Sequence, residues 1–226
     1  MFVFSFQKFV QSLQRRLILK NIENYYEGLF SNYFIPIENN SNFNPAGHTF
    51  KLSSTLGEGF YWIYAKKDLY DIKVHDFYFH DDFLMEFKLP GSLSITMYES
   101  ISGEELNPYR RLSAGYIKAF VGSDEPYKAL IHKKIPIRSI GIEVMPAYYE
   151  DYLKEQYPRD YINPLSAFVQ FDQAGSFPAM SKLLTEVKLY KGEGIAAGLF
   201  YEAKVTEAVS LMVAAGKEKL SHKEKS

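Results

Sequence analysis

The chain has 226 residues, enough for one well-buried domain with appendages. Its 26 Lys and Arg against 27 Asp and Glu leave a formal charge of −1, with no bulk electrostatic footprint for nucleic acid. The absence of cysteine excludes disulfide scaffolds, thiolate zinc sites, iron–sulfur clusters and cysteine nucleophiles, and it fits a reducing cytoplasm, where the chain is expected. Eighteen Tyr, 18 Phe and 1 Trp within a 46% hydrophobic total point to a β-rich globular core, and no segment has the roughly 18 consecutive apolar residues of a spanning helix.

Residues 1–44 read as an N-terminal helical segment and loop. From Met1 to Lys20 there are four basic and no acidic residues, and Phe6, Phe9, Val10, Leu13 and Leu17 recur at helical spacing, which predicts a basic amphipathic helix. Such a stripe can dock on its own domain or lie on an anionic membrane surface. Asn21 to Ile37 is aromatic and weakly helical before Pro36. The Asn-rich stretch that follows, closed by Pro45 and Gly47, favours solvated turns, so the folded core is expected to begin near His48.

Residues 45–146 carry the grammar of strand and turn. Phe60 to Ala65, Leu69 to His80, Ser92 to Ser100, Gly115 to Val121, Tyr127 to His132 and Ile135 to Met145 are rich in aromatic and β-branched residues, with Gly and Pro near their ends. Short strands at this spacing predict a sandwich or barrel.

After Pro146 the period changes from about 2 to about 3.6 residues. Tyr149, Tyr152, Leu153 and Tyr157 are expected to share a face of one helix. A second opens at Pro178, with Met180, Leu183, Leu184, Val187 and Tyr190 inward. A third, longer helix is predicted to end near Gly216, and its apolar positions include Ile195, Leu199, Tyr201, Ala203, Val205, Val209 and Met212. Its small residues permit close approach either to a second copy of the chain or to the same chain. Residues 147–216 therefore form a helical region, 217–226 a charged linker or tail, and the fold class is α+β.

Little in the sequence specifies a reaction. His75-Asp76-Phe77-Tyr78-Phe79-His80-Asp81-Asp82 holds the residue types of a two-His, one-carboxylate metal site, but on a strand His75 and His80 point to opposite faces. There is no G-x-S-x-G elbow, H-E-x-x-H pair or Walker loop, so no catalytic residue, metal or cofactor is assigned and no enzyme activity is expected. What remains is a barrel whose mouth or lumen can hold a small molecule. Trp62, Tyr64, His75, Phe77, Tyr98, Glu99 and Glu143 are the ligand-binding candidates, because they lie on predicted strands and combine rings with polar tips.

Several strings together carry a family likeness. Gly57 to Trp62 (GEGFYW), Ile72 to Asp82 (IKVHDFYFHDD), Leu93 to Leu106 (LSITMYESISGEEL), Asn107 to Arg111 (NPYRR) and Ile135 to Pro146 (IPIRSIGIEVMP) resemble the amino-terminal sensor region of AraC-type transcription regulators, and the likeness runs from about Pro45 to Val213. The resemblance implies a cupin-like, jelly-roll β-barrel that senses an effector, followed by helices that make a homodimer. Ile195, Leu199, Ala203, Val205, Val209 and Met212 are the dimerisation candidates. It also implies DNA contact only through a helix-turn-helix region, which this chain, ending at Ser226, is expected to lack. The alternative is a metal-dependent cupin enzyme centred on His75, His80 and Asp76 or Glu86, although the offsets at which the metal-binding pattern needs ligands hold Phe77 and Asp82.

Overall fold

The computed structural model describes residues 32–38, 40–88, 91–171 and 176–223. The helix expected over Met1 to Lys20 lies outside them. Eleven strands come first: β1 (Phe34–Ile37), β2 (His48–Leu52), β3 (Gly57–Lys66), β4 (Tyr70–Phe79), β5 (Phe83–Phe87), β6 (Leu93–Ser100), β7 (Gly103–Leu106), β8 (Tyr109–Leu112), β9 (Ile117–Val121), β10 (Tyr127–Ile131) and β11 (Ile137–Val144). Helices follow, beginning with a π-helical turn (Ala147–Tyr152) that runs into α1 (Leu153–Gln156). They continue with α2 (Leu165–Gln170), α3 (Pro178–Leu189) and α4 (Gly194–Lys223).

All strand pairings are antiparallel, in a seven-stranded sheet of order β1-β2-β3-β4-β11-β6-β9 and a four-stranded sheet of order β5-β10-β7-β8. Strands β4 to β11 thus alternate between two facing sheets as β4-β11-β6-β9 and β5-β10-β7-β8, which is the jelly-roll order found in cupins. The barrel is a cupin-like β-sandwich with helices after it, and β1 to β3 widen one of its sheets.

The large sheet is buried on both faces, and the period-2 alternation of its strands sorts side chains between two cores. Ile72, Val74, Ile95, Ile140, Ile142 and Val144 face the helices and pack with Met180, Leu183, Leu184 and Val187 of α3 and Tyr201, Val205, Val209 and Met212 of α4. Residues of the opposite parity, Tyr61, Ile63, Phe77, Phe79 and Ile137, face the small sheet, where Ala129 and Ile131 join them. Burying Leu184, which has no exposed surface, contributes roughly 1.5–3 kcal/mol.

Four expectations are corrected. Phe34–Ile37 is a strand, not helix, and among the described residues it pairs only with β2, at the edge of the sheet, a position that tolerates Pro36. The Asn-rich loop is not wholly solvated: Asn44 is buried, and its amide donates to the carbonyls of Tyr190 (3.0 Å) and Gly192 (2.9 Å), tying the loop before β2 to the α3–α4 connection. Of the face expected from Tyr149 to Tyr157, Tyr149, Tyr152 and Leu153 do pack on one core, but Tyr157 does not join them, because the helix ends at Gln156 and Tyr157 has left helical geometry. Tyr148 and Tyr149 are buried, while Tyr157 is exposed. Finally, α4 runs through Gly216 to Lys223 instead of ending there, so part of the expected tail is helical. A Cβ on Gly216 would lie 2.8 Å from the Ala167 Cβ, so this glycine serves the close approach of α2. Among the described residues no helix is long and apolar enough to cross a membrane.

Candidate functional site

Between the two sheets lies a cavity of about 130 Å³, comparable in size with engineered cavities that admit a benzene-sized molecule. Its floor is the inward face of β4, β11, β6 and β9, and the register places its side chains in cross-strand rows. Asp71, Glu143 and Ser94 stand opposite one another in one row; Lys73, Gly141, Thr96 and Lys118 make the next; His75, Ser139 and Tyr98 make the third. The small sheet and the strand-edge residues supply Phe83, Met85, Phe87, Ile131 and Tyr127, and Phe34 and Tyr61 come from β1 and β3.

Two lysines are buried here. Lys73 donates to Glu143 and lies 3.4 Å from an Asp71 carboxylate oxygen, with both carboxylates almost wholly buried. Burial penalises its charge, but the two carboxylates outweigh that and hold Lys73 above the ordinary lysine value. Lys118 pairs with Glu105 of the opposite sheet and sits 4.9 Å from the ring centroid of Tyr127 and 5.6 Å from that of Phe120. Burial draws its ammonium down to about 7.

The remaining polar groups are held in neutral form. The His75 ring nitrogen Nδ1 shares a 2.8 Å hydrogen bond with the Ser139 hydroxyl, and burial, with Lys73 nearby, pulls His75 down to about 3, so the imidazole is uncharged at neutral pH. Burial raises Tyr61, Tyr98 and Tyr127, which remain protonated phenols. The walls therefore combine aromatic rings with hydroxyl, imidazole and ammonium groups, a composition suited to holding a small organic molecule in a fixed orientation.

Of the seven ligand-binding candidates, His75, Phe77, Tyr98 and Glu143 line this cavity. The other three are corrected. Trp62 and Tyr64, even-numbered on β3, point to the helical side, where their rings lie 6.0 Å and 4.6 Å from that of Tyr201. The Trp62 indole N–H donates to the Asn44 carbonyl at 2.8 Å. Glu99 points away from its neighbour Tyr98 and accepts from Lys188 of α3 at 2.5 Å. Strand parity, already used to separate His75 from His80, identifies all three. Lys73, Lys118, Ser94, Thr96 and Tyr127 line the cavity and were missed. Lys73 shares the parity of His75 on β4 and was within reach of the same argument. Lys118 and Tyr127 gave no such signal, because their strands meet the others only through the fold.

The ligands of the alternative metal site do not converge. His75 faces the lumen, His80 lies beyond the end of β4, and Asp76 and Glu86 are exposed, at 3.1 Å from Arg138 and Lys128 respectively. Among the described residues no three His, Asp or Glu side chains gather where one ion could be held. The dimerisation candidates also divide. Val205, Val209 and Met212 are covered by the chain's own sheet and helices, whereas Ile195, Leu199 and Ala203 are exposed, because a helix with one face on the sheet cannot offer that face to a partner.

No protein-family model and no curated protein matches the sequence. Among solved structures, similarity is found to an RmlC-like cupin protein from Desulfovibrio desulfuricans, at 11% identity and TM-score 0.28, covering 42% of this chain and 86% of that one. Vicilin from Solanum lycopersicum is similar at 10% identity and TM-score 0.31, covering 54% of this chain and 41% of its own length. KdgF from a Halomonas species is similar at 12% identity and TM-score 0.24, covering 53% and 91%. Likenesses this distant say nothing about ligand or activity, and the jelly-roll assignment rests on the strand order above.

Proposed function

We propose that the chain is a ligand-sensing and pairing module, not an enzyme, and that it serves as the sensor part of a cytoplasmic AraC-type transcription regulator. The observation that carries the sensing half is the ring-lined, partly polar cavity inside the jelly roll. The regulator class rests on the sequence strings that resemble that family.

The large sheet supplies a physical route from ligand to helices. On the floor strands residues alternate between the lumen and the helical side: His75 is followed back along β4 by Val74, Glu143 along β11 by Ile142, and Tyr98 along β6 by Met97. A molecule that reorders the lumen side chains shifts strands on which the helices rest, and close packing transmits such shifts. To turn a 1:99 mixture of helix arrangements into 99:1, the ligand must favour one by about 5.5 kcal/mol, within reach of a buried small molecule. Pairing falls to the exposed stripe Ile195, Leu199 and Ala203, spaced four residues apart on α4.

The test is a metabolite panel scored by thermal shift and isothermal titration on the full chain and on Ser94→Phe, which places a ring in the lumen. Binding by the parent and its loss in the variant, with hydrogen-exchange changes in α3 and α4, are expected. A panel without any binder, or binders indifferent to the added ring, overturns the sensing reading. For pairing, Ile195→Glu with Leu199→Glu is expected to halve the mass seen in sedimentation, and a parent chain that is monomeric at high concentration refutes it.

A further inference from the structure

We infer that the lumen is built for a small carboxylate with an apolar body, its carboxylate held at Lys118 and Thr96. This rests on the reading of the lumen as a ligand site and adds the chemistry of the occupant. Thr96 and Lys118 are cross-strand partners on the inward face of β6 and β9, and Gly141 stands beside Thr96 on β11. Gly141 lines the cavity without a side chain, and the Thr96 hydroxyl takes the space over it: a Cβ there would lie 2.7 Å from that oxygen. The close approach that this strand glycine allows is that of the Thr96 hydroxyl, which is thereby set beside Lys118 on the lumen floor.

The groups around Thr96 are donors. An ammonium has three N–H bonds. Lys118, almost wholly buried, directs one of them to Glu105 and lies against the Tyr127 and Phe120 rings; burial weakens its hold on the proton, and an anion seated beside it favours the charged form. Ser94 and Thr96 add hydroxyls, and burial keeps the Tyr98 and Tyr127 phenols protonated. Of the acceptors, Glu143 already accepts from Lys73 and its side chain has no exposed surface, while the His75 ring is engaged with Ser139. The other walls are Phe, Met and Ile side chains, and a free volume of about 130 Å³ suits one ring or a short chain. Charged recognition with an apolar remainder gives a compact acid, with Glu105 competing for the same ammonium.

The experiment is isothermal titration of the full chain with benzoate, benzamide and benzylamine, three probes of one shape and charges −1, 0 and +1, and with hexanoate as the open-chain arm. At least one carboxylate is expected to bind tenfold or more tighter than the amide and the amine. Lys118→Met is expected to remove that preference, and Glu105→Gln to strengthen carboxylate binding severalfold by freeing the ammonium. A purely structural ion pair would instead weaken binding in both variants. Tighter binding of benzylamine or benzamide, or carboxylate binding indifferent to Lys118→Met, overturns the carboxylate assignment and leaves the lumen as a ligand site. Should a variant fail to fold, the order of the three probes on the parent chain still decides. If no probe binds, the assignment falls, while a metabolite displaced by Ser94→Phe would keep the wider sensing reading alive.

Discussion

Replacing His75 with glutamine probes whether the lumen is a low-dielectric compartment or a wet one. The ring is half-buried, and its accessible area opens on the cavity. Burial, helped by Lys73, takes it from 6.5 to about 3. The unfolded chain binds a proton on this ring as the pH falls below 6.5, whereas the folded chain resists until about 3, so stability is complete above 6.5 and drains away across that window. Each pKa unit corresponds to 1.36 kcal/mol, so His75 alone removes about 2 kcal/mol between neutrality and pH ~5. Glutamine can keep a hydrogen bond to Ser139 without titrating. Urea unfolding of parent and His75→Gln at about pH 7 and about pH 5, followed by Trp62 fluorescence and far-ultraviolet dichroism, measures the difference. The other ionisable groups are common to both proteins and largely cancel in the difference. The parent is expected to lose about 2 kcal/mol more than the variant on acidification. Equal losses would mean that His75 is solvated or charged in the folded state, and the dry-lumen account would fail.

Three further outcomes follow from the packing. Lys73→Met leaves the Asp71 and Glu143 carboxylates buried without their ammonium and is expected to cost about 3–5 kcal/mol in denaturant melts, much of it regained when Asp71→Asn and Glu143→Gln are added. A triple variant as unstable as the single one would refute this. Leu184→Ala, at a fully buried site between sheet and helices, is expected to cost about 2–5 kcal/mol, whereas Leu189→Ala, at an exposed site of the same helix and outside the pairing stripe, should stay within about 0.5 kcal/mol; comparable losses would contradict the placement of α3. Trp62 is 2% exposed, so its emission should be blue-shifted and resist acrylamide until the chain unfolds, and easy quenching in the native state would place it elsewhere.

How much was legible in the sequence depended on local signals. The long strands β3, β4, β6 and β11 and helix α3 announced themselves through β-branched and aromatic density, Pro and Gly punctuation, and one clear 3.6-residue stripe. The strands that escaped notice are short or atypical. β7 and β8 (GEEL and YRRL) are four-residue polar strands, β2 (HTFKL) and β5 (FLMEF) are five-residue ones, and β1 contains a proline that only an edge position tolerates. The candidate site was half legible: His75, Phe77, Tyr98 and Glu143 have the inward parity, and Trp62, Tyr64 and Glu99 do not.

Composition and periodicity by themselves determined that strands precede helices, that the core is aromatic, and which residues alternate along each strand, because these depend on neighbours a few positions away. Only the tertiary structure decided which parity faces the lumen. A sheet covered on both sides inverts the usual rule that polar residues point to water, so Asp71, Lys73, Lys118 and Glu143 end up buried in ion pairs between the sheets. Lys73 meets Asp71 on its own strand but Glu143 from β11, and Lys118 finds Glu105 across the sandwich; no local pattern encodes a contact made by the closing of two sheets on each other.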